Sequence, residues 1–115
     1  MPNRDLSHLR ESYLLGSLDM DNCNEDPFVQ FDHWFHQALD AGIFEPNAMT
    51  LATVGAGNQP SVRTVLLKSF SHAGFVFYTN YDSRKGMEMA ANDRVSLLFW
   101  WREQQRQVRI EGTVS

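Results

Sequence analysis

The chain has 115 residues, 43% of them hydrophobic, with eight Phe and three Trp, which suits a single domain with a real core. Its formal net charge of −4 excludes general nucleic-acid binding, so a local group of cations points to a small anionic ligand instead. The one cysteine, Cys23, excludes a disulfide framework and a thiol-based metal cluster and suits a reducing compartment, taken as the cytoplasm. The first residues show no apolar core of a signal peptide, and no apolar run reaches the length of a membrane span.

Residues 1–26 are polar and weakly patterned, and read as an N-terminal arm. Within them residues 8–15 suggest a short helix ended by Gly16. Asp26-Pro27 is a helix start, a capping residue followed by Pro at the first helical position. Phe28, Phe31, Phe35 and Ala38 then recur at helical spacing, with Trp34 and Leu39 beside them, and Gly42 ends the pattern. This helix is expected to lay its aromatic stripe on a sheet. His33 and His36 stand three apart, but two imidazoles without a third ligand make a poor metal site, and no metal is expected.

Residues 48–54 read as the first strand. The turn at 55–60 contains Gly55 and Gly57 but lacks a third glycine and a following helix, so it is no dinucleotide fingerprint. Residues 61–70 and 75–80 are β-branched and aromatic, joined by a polar turn ending in Gly74, and predict a hairpin. His72 in that turn is expected to be exposed. A helix follows from Arg84, capped by Ser83 or Asp82, through Met87, Met89 and Ala90 to a stop at Asn92-Asp93. Residues 95–101 are nearly all apolar, as in a strand covered on both faces. After a polar turn at 103–105, residues 106–115 alternate, with Val108, Ile110 and Gly112 on one side and Gln107, Arg109 and Glu111 on the other. The chain ends inside that alternation with no turn or cap, which suggests truncation. Five strands in mainly antiparallel order, with flanking helices, indicate a small barrel rather than a doubly wound sheet.

Arg84 and Lys85 stand in the first turn of their helix, where the helix dipole disfavours cations. An anion bound by the free N–H groups and the cap hydroxyl makes sense of them, and a solvated, fraying helix tip is the plainer reading. Arg63 and Lys68 bring two more cations to the same hairpin. They are five apart, so a regular strand places them on opposite faces unless a bulge intervenes. No Ser/His/Asp or Cys/His pattern is present, and no side chain is assigned as catalytic.

Arg63-Thr64-Val65-Leu66-Leu67-Lys68, Phe77-Tyr78-Thr79-Asn80, Ser83-Arg84-Lys85, Val95-Ser96-Leu97-Leu98-Phe99-Trp100 and Arg106-Gln107-Val108, in this order and spacing, resemble the pyridoxine/pyridoxamine 5′-phosphate oxidase family. The resemblance runs from Leu9-Arg10-Glu11 to Glu111-Gly112 and implies an FMN-binding split β-barrel, here truncated to its N-terminal part. It implies an arm at residues 1–26 and the barrel domain at 27–115. The implied activity is oxidation of pyridoxamine or pyridoxine 5′-phosphate to pyridoxal 5′-phosphate in vitamin B6 metabolism, with O2 reduced to H2O2. The implied assembly is a homodimer with FMN at the subunit interface, with no nucleic acid or membrane as partner. Contacts to FMN are implied for Arg63, Thr64, Val65, Leu66, Leu67, Lys68, Tyr78, Thr79, Arg84, Lys85 and, across the interface, Gln107; Ser83 joins them as the helix cap. Lys68, Arg10 and Tyr13 are implied to meet the substrate. The isoalloxazine ring does the redox work and the protein positions it. The alternative is a non-catalytic flavin-binding split-barrel module, or an inactive fragment of the oxidase.

Overall fold

The structure, a computed structural model, describes residues 3–9, 18, 19, 21, 23–80 and 83–115. A short 3-10 turn covers Ser7–Leu9; the rest of the expected arm helix, with Arg10 and Tyr13, lies outside the described residues. Helix α1 spans Pro27–Asp40 and starts as its sequence dictates, with Asp26 accepting from the Phe28 N–H and Pro27 at the first position. Past its end Gly42 takes φ 72° and donates its N–H to the Leu39 carbonyl at 3.0 Å. That left-handed conformation costs glycine nothing.

Five strands follow: β1 (Ala48–Val54), β2 (Pro60–Ser71), β3 (Gly74–Phe77), β4 (Arg94–Trp101) and β5 (Arg106–Thr113), with helix α2 (Arg84–Ala91) between β3 and β4. They form one sheet in the order β3-β2-β1-β4-β5, every neighbouring pair antiparallel. The register places Met49, Leu51 and Thr53 of β1 beside Val65, Arg63 and Ser61 of β2, and Leu97 beside Leu51. These residues share one face, which carries the core of Phe31, Ala38, Met49, Leu51, Leu67, Met89, Leu97, Phe99 and Trp101.

Phe31 sits at its centre, its ring within 6 Å of those of Phe35, Phe70, Phe75, Phe99 and Trp101. This is the aromatic stripe laid on the sheet, and truncating such a residue to Ala costs about 3–5 kcal/mol. The Trp101 indole N–H donates to the Pro46 carbonyl at 2.9 Å, which satisfies its polar edge in the core.

Two elements differ from the sequence reading. The third strand ends at Phe77 rather than Asn80. Asn80 turns its carbonyl to the N–H and hydroxyl of Ser83, at 3.0 and 2.6 Å, and so serves the cap of α2 instead of a ladder. The apolar stretch of β4 is covered on one face only. Leu97, Phe99 and Trp101 are buried, whereas Leu98 is half-buried and Ser96 and Trp100 are exposed. Both helices pack on the core face, so among the described residues nothing covers the other one. That open face carries Val62, Thr64 and Leu66 of β2, and Trp100 is 47% exposed on it. Among the described residues no helix is long and apolar enough to cross a membrane.

Candidate functional site

The end of the hairpin and the start of α2 bring most of the expected residues into one region. The Ser83 side chain accepts from the Gly86 N–H at 3.1 Å and the Met87 N–H donates to the Ser83 carbonyl at 3.0 Å. Among the described residues nothing accepts from the N–H groups of Arg84 and Lys85, which are therefore available to an anion. The Ser83 hydroxyl proton goes to the Asn80 carbonyl, so this side chain shapes the turn rather than offering a donor. Lys85 is half-buried and among the described residues has no acidic partner.

Arg84 does not need a ligand to explain it. Its Nε donates to Glu88 Oε1 at 2.8 Å, one turn along the same helix. Glu88 is the residue that sequence reasoning missed. Its other oxygen, Oε2, accepts from Ser61 Oγ at 2.6 Å, from Arg63 Nη2 at 3.3 Å and from Thr53 Oγ1. Ser61, then Thr53 and Arg84, hold its carboxyl down at about 2 against the upward push of burial, with Arg63 adding to the same effect. The available signal was Glu four residues after Arg84 on a helix, together with hydroxyls on both strands that flank the 55–60 turn. A solvated helix face gives the same spacing.

Arg63 is thus fixed on the core face. Its Nη1 donates to the Leu51 carbonyl and its Nη2 to Ser61 Oγ, both at 2.9 Å. Val65 and Leu67 follow on that face, while Thr64 and Leu66 stand on the open one. At Lys68 the ladder slips: Leu67 pairs with Phe77 and Ser69 with Val76, leaving Lys68 as the extra residue of a bulge. The Lys68 ammonium lies 5.4 Å from the centre of the exposed Tyr78 ring, a cation–π distance. Arg63 is thus held by Leu51, Ser61 and Glu88, while Lys68 lies at the Tyr78 ring.

Thr79 Oγ1 is buried and has no partner among the described residues. An orphaned hydroxyl between Tyr78 and the cap of α2 fits a site meant to receive a polar group from outside the chain. Gln107 is exposed on β5 opposite Trp100, on the open face and apart from the core-face side chain of Arg63. His72 is exposed, as expected, and its Nε2 lies 2.7 Å from Asp26 Oδ2. Among the described residues no group of three His, Cys, Asp or Glu is placed to hold a metal ion.

The model of the pyridoxamine 5′-phosphate oxidase family matches residues 35–115. A pyridoxine/pyridoxamine 5′-phosphate oxidase of Paraburkholderia phymatum is 59% identical over 109 residues, which cover 95% of this chain and 51% of that protein. The chain therefore spans about half the length of the curated relatives it matches. Among solved structures, PhzG from Burkholderia lata, in complex with tetrahydrophenazine-1-carboxylic acid, superposes with a TM-score of 0.80 at 31% identity, covering 86% of this chain and 50% of that one. A pyridoxamine 5′-phosphate oxidase-related, FMN-binding protein of Nostoc punctiforme has a TM-score of 0.66 at 20% identity, covering 74% of this chain and 44% of that one, and shows the same fold.

Proposed function

The chain belongs to the pyridoxamine 5′-phosphate oxidase family, and from that premise we propose that it is the flavin-holding part of an FMN-dependent oxidase. The reaction is conversion of pyridoxamine or pyridoxine 5′-phosphate to pyridoxal 5′-phosphate, with O2 reduced to H2O2, in cytoplasmic vitamin B6 metabolism. The observation that carries the reading is the start of α2. There, among the described residues, the N–H groups of Arg84 and Lys85, the Lys85 ammonium and the buried Thr79 hydroxyl have no partner, and all stand at one end of a hairpin. The substrate class follows the name of the relative at 59% identity.

In this reading residues 27–115 are the flavin-binding domain and residues 1–26 an arm that brings Arg10 and Tyr13 over the substrate. A bound flavin would supply the two-electron redox chemistry between substrate and dioxygen. The chain's own residues bind and orient. Lys85, Arg84, Arg63 and the α2 N–H groups hold the flavin phosphate, with Ser83 setting the turn. Thr64, Val65, Leu66, Leu67, Tyr78 and Thr79 line the cofactor, and Lys68, set off by its bulge, meets both cofactor and substrate phosphate. The open face, with Val62, Leu66, Leu98 and Trp100, pairs two copies and brings Gln107 of one toward the flavin of the other.

Titrating the chain with FMN, followed by flavin absorbance, and then assaying peroxide release on adding pyridoxamine 5′-phosphate tests this. The expected result is weak but saturable FMN binding, and turnover far below that of a full-length relative, because misplacing a substrate by about 1 Å already costs on the order of a hundredfold. Flavin binding without any peroxide favours the non-catalytic module. An unperturbed flavin spectrum at saturating FMN sinks the proposal.

A further inference from the structure

We propose that Glu88 is the positioning residue of the phosphate end of this site: its carboxylate docks α2 onto the sheet and holds Arg63 and the first turn of α2 in the arrangement that receives a phosphate monoester. The identity of that monoester as a flavin tail rests on the preceding reading; the positioning role rests on the geometry.

The Glu88 carboxylate is only 10% exposed. A carboxylate so withdrawn from water is tolerated only when donors surround it, and four do. Thr53 and Ser61 face each other across the β1–β2 ladder and both give their hydroxyl protons to Oε2. Arg63 reaches the same oxygen from β2, and Arg84 takes Oε1 from within α2. One side chain thus ties the helix to two strands. Room for it is left at Gly55, where an added Cβ would stand 3.2 Å from Glu88 Cγ.

The two arginines are held unequally. Arg63 also donates to the Leu51 carbonyl and to Ser61 Oγ, so its guanidinium is locked. Arg84 is 70% exposed and is held through its Nε to Glu88 Oε1 at 2.8 Å. A carboxylate whose role was to compete with the anion for these cations would gain nothing from the hydroxyls of Thr53 and Ser61. Those two bonds serve only to fix where Glu88 lies, and through it where α2 begins relative to Arg63.

The test compares the chain with its Glu88→Gln variant, each titrated with inorganic phosphate, FMN and riboflavin, and read by amide shifts of Lys85 and Gly86 and by flavin absorbance. The expected result is a loss of about tenfold or more in affinity for inorganic phosphate and FMN, the scale of one charge-assisted contact, with riboflavin affinity unchanged. A merely structural role would weaken riboflavin and FMN alike, and that outcome overturns the proposal. So does equal or tighter phosphate binding by the variant, or no phosphate binding by the unaltered chain. Loss of phosphate binding in the variant, with flavin bound by neither protein, upholds the positioning role and removes the flavin reading instead. If Glu88→Gln does not fold, Ser61→Ala, which keeps the carboxylate and removes one donor to it, is expected to show the same selective loss in smaller degree; no selectivity there also overturns the proposal.

Discussion

Lys68 and Tyr78 stand face to face at the mouth of the hairpin, the ammonium 5.4 Å from the ring centre. Alternation from Leu67 already turns Lys68 away from the face of Arg63, Val65 and Leu67, and the bulge leaves it without a residue opposite it in β3. With Lys68 resting on the ring, part of its side-chain entropy is lost before any ligand arrives.

Replacing Lys68 by Ala is therefore expected to weaken binding of pyridoxamine 5′-phosphate to the FMN-loaded chain by about 1–3 kcal/mol, one charge-assisted phosphate contact. FMN binding should change less. Calorimetric titration of both ligands checks this, and unchanged substrate affinity would remove Lys68 from the substrate side.

At the start of α2, Lys85→Ala is expected to cost more FMN affinity than Arg84→Ala. Lys85 has no acidic partner among the described residues, whereas Arg84 is already engaged by Glu88. A loss of about 1–3 kcal/mol is expected for Lys85→Ala, and less for Arg84→Ala. The reverse order, measured by flavin fluorescence titration, would mean that Arg84 leaves Glu88 completely when the phosphate binds.

Stability should fall in acid through Glu88. Its folded carboxyl titrates at about 2 against an ordinary 4.5. A depressed carboxyl contributes stability that is fully present above its unfolded value and is lost as pH falls through the folded one. Melting temperatures of the chain and of Glu88→Gln, taken from pH 7 down to pH 2, should be farthest apart above about pH 4.5 and converge below it. A gap that stays constant over this range would show that the ionised carboxylate contributes nothing.

The open sheet face makes a separate prediction. Trp100→Glu places a charge at the centre of the proposed dimer face without touching the core, so it should produce monomers while leaving the melting of the isolated chain nearly unchanged. Sedimentation velocity of both proteins decides it. An unaltered chain that sediments only as monomer at tens of micromolar, or a Trp100→Glu variant that still sediments as a dimer, would show that this face does not pair two copies.

Much of the architecture was legible locally. The periodicity of Phe28, Phe31 and Phe35, the Asp26-Pro27 start, the Ser83 cap and the alternation of β5 each depend on residues within a few positions of one another. Local sterics and capping chemistry act at that range, so these features could be read without the fold. The hairpin and the cations around it were legible for the same reason, and the family resemblance agrees with the match over residues 35–115.

Only the tertiary structure decided what those cations do. Glu88 reads as an ordinary solvated helix residue until α2 is set against β1 and β2, where it meets Thr53, Ser61 and Arg63 from 25 to 35 positions away. The shortened third strand depends on Asn80 serving the α2 cap, and the face of β4 left uncovered among the described residues depends on both helices choosing the other side of the sheet. Burial and long-range hydrogen bonding are properties of what surrounds a residue, and the sequence by itself determined the residues and their local turns but not those surroundings.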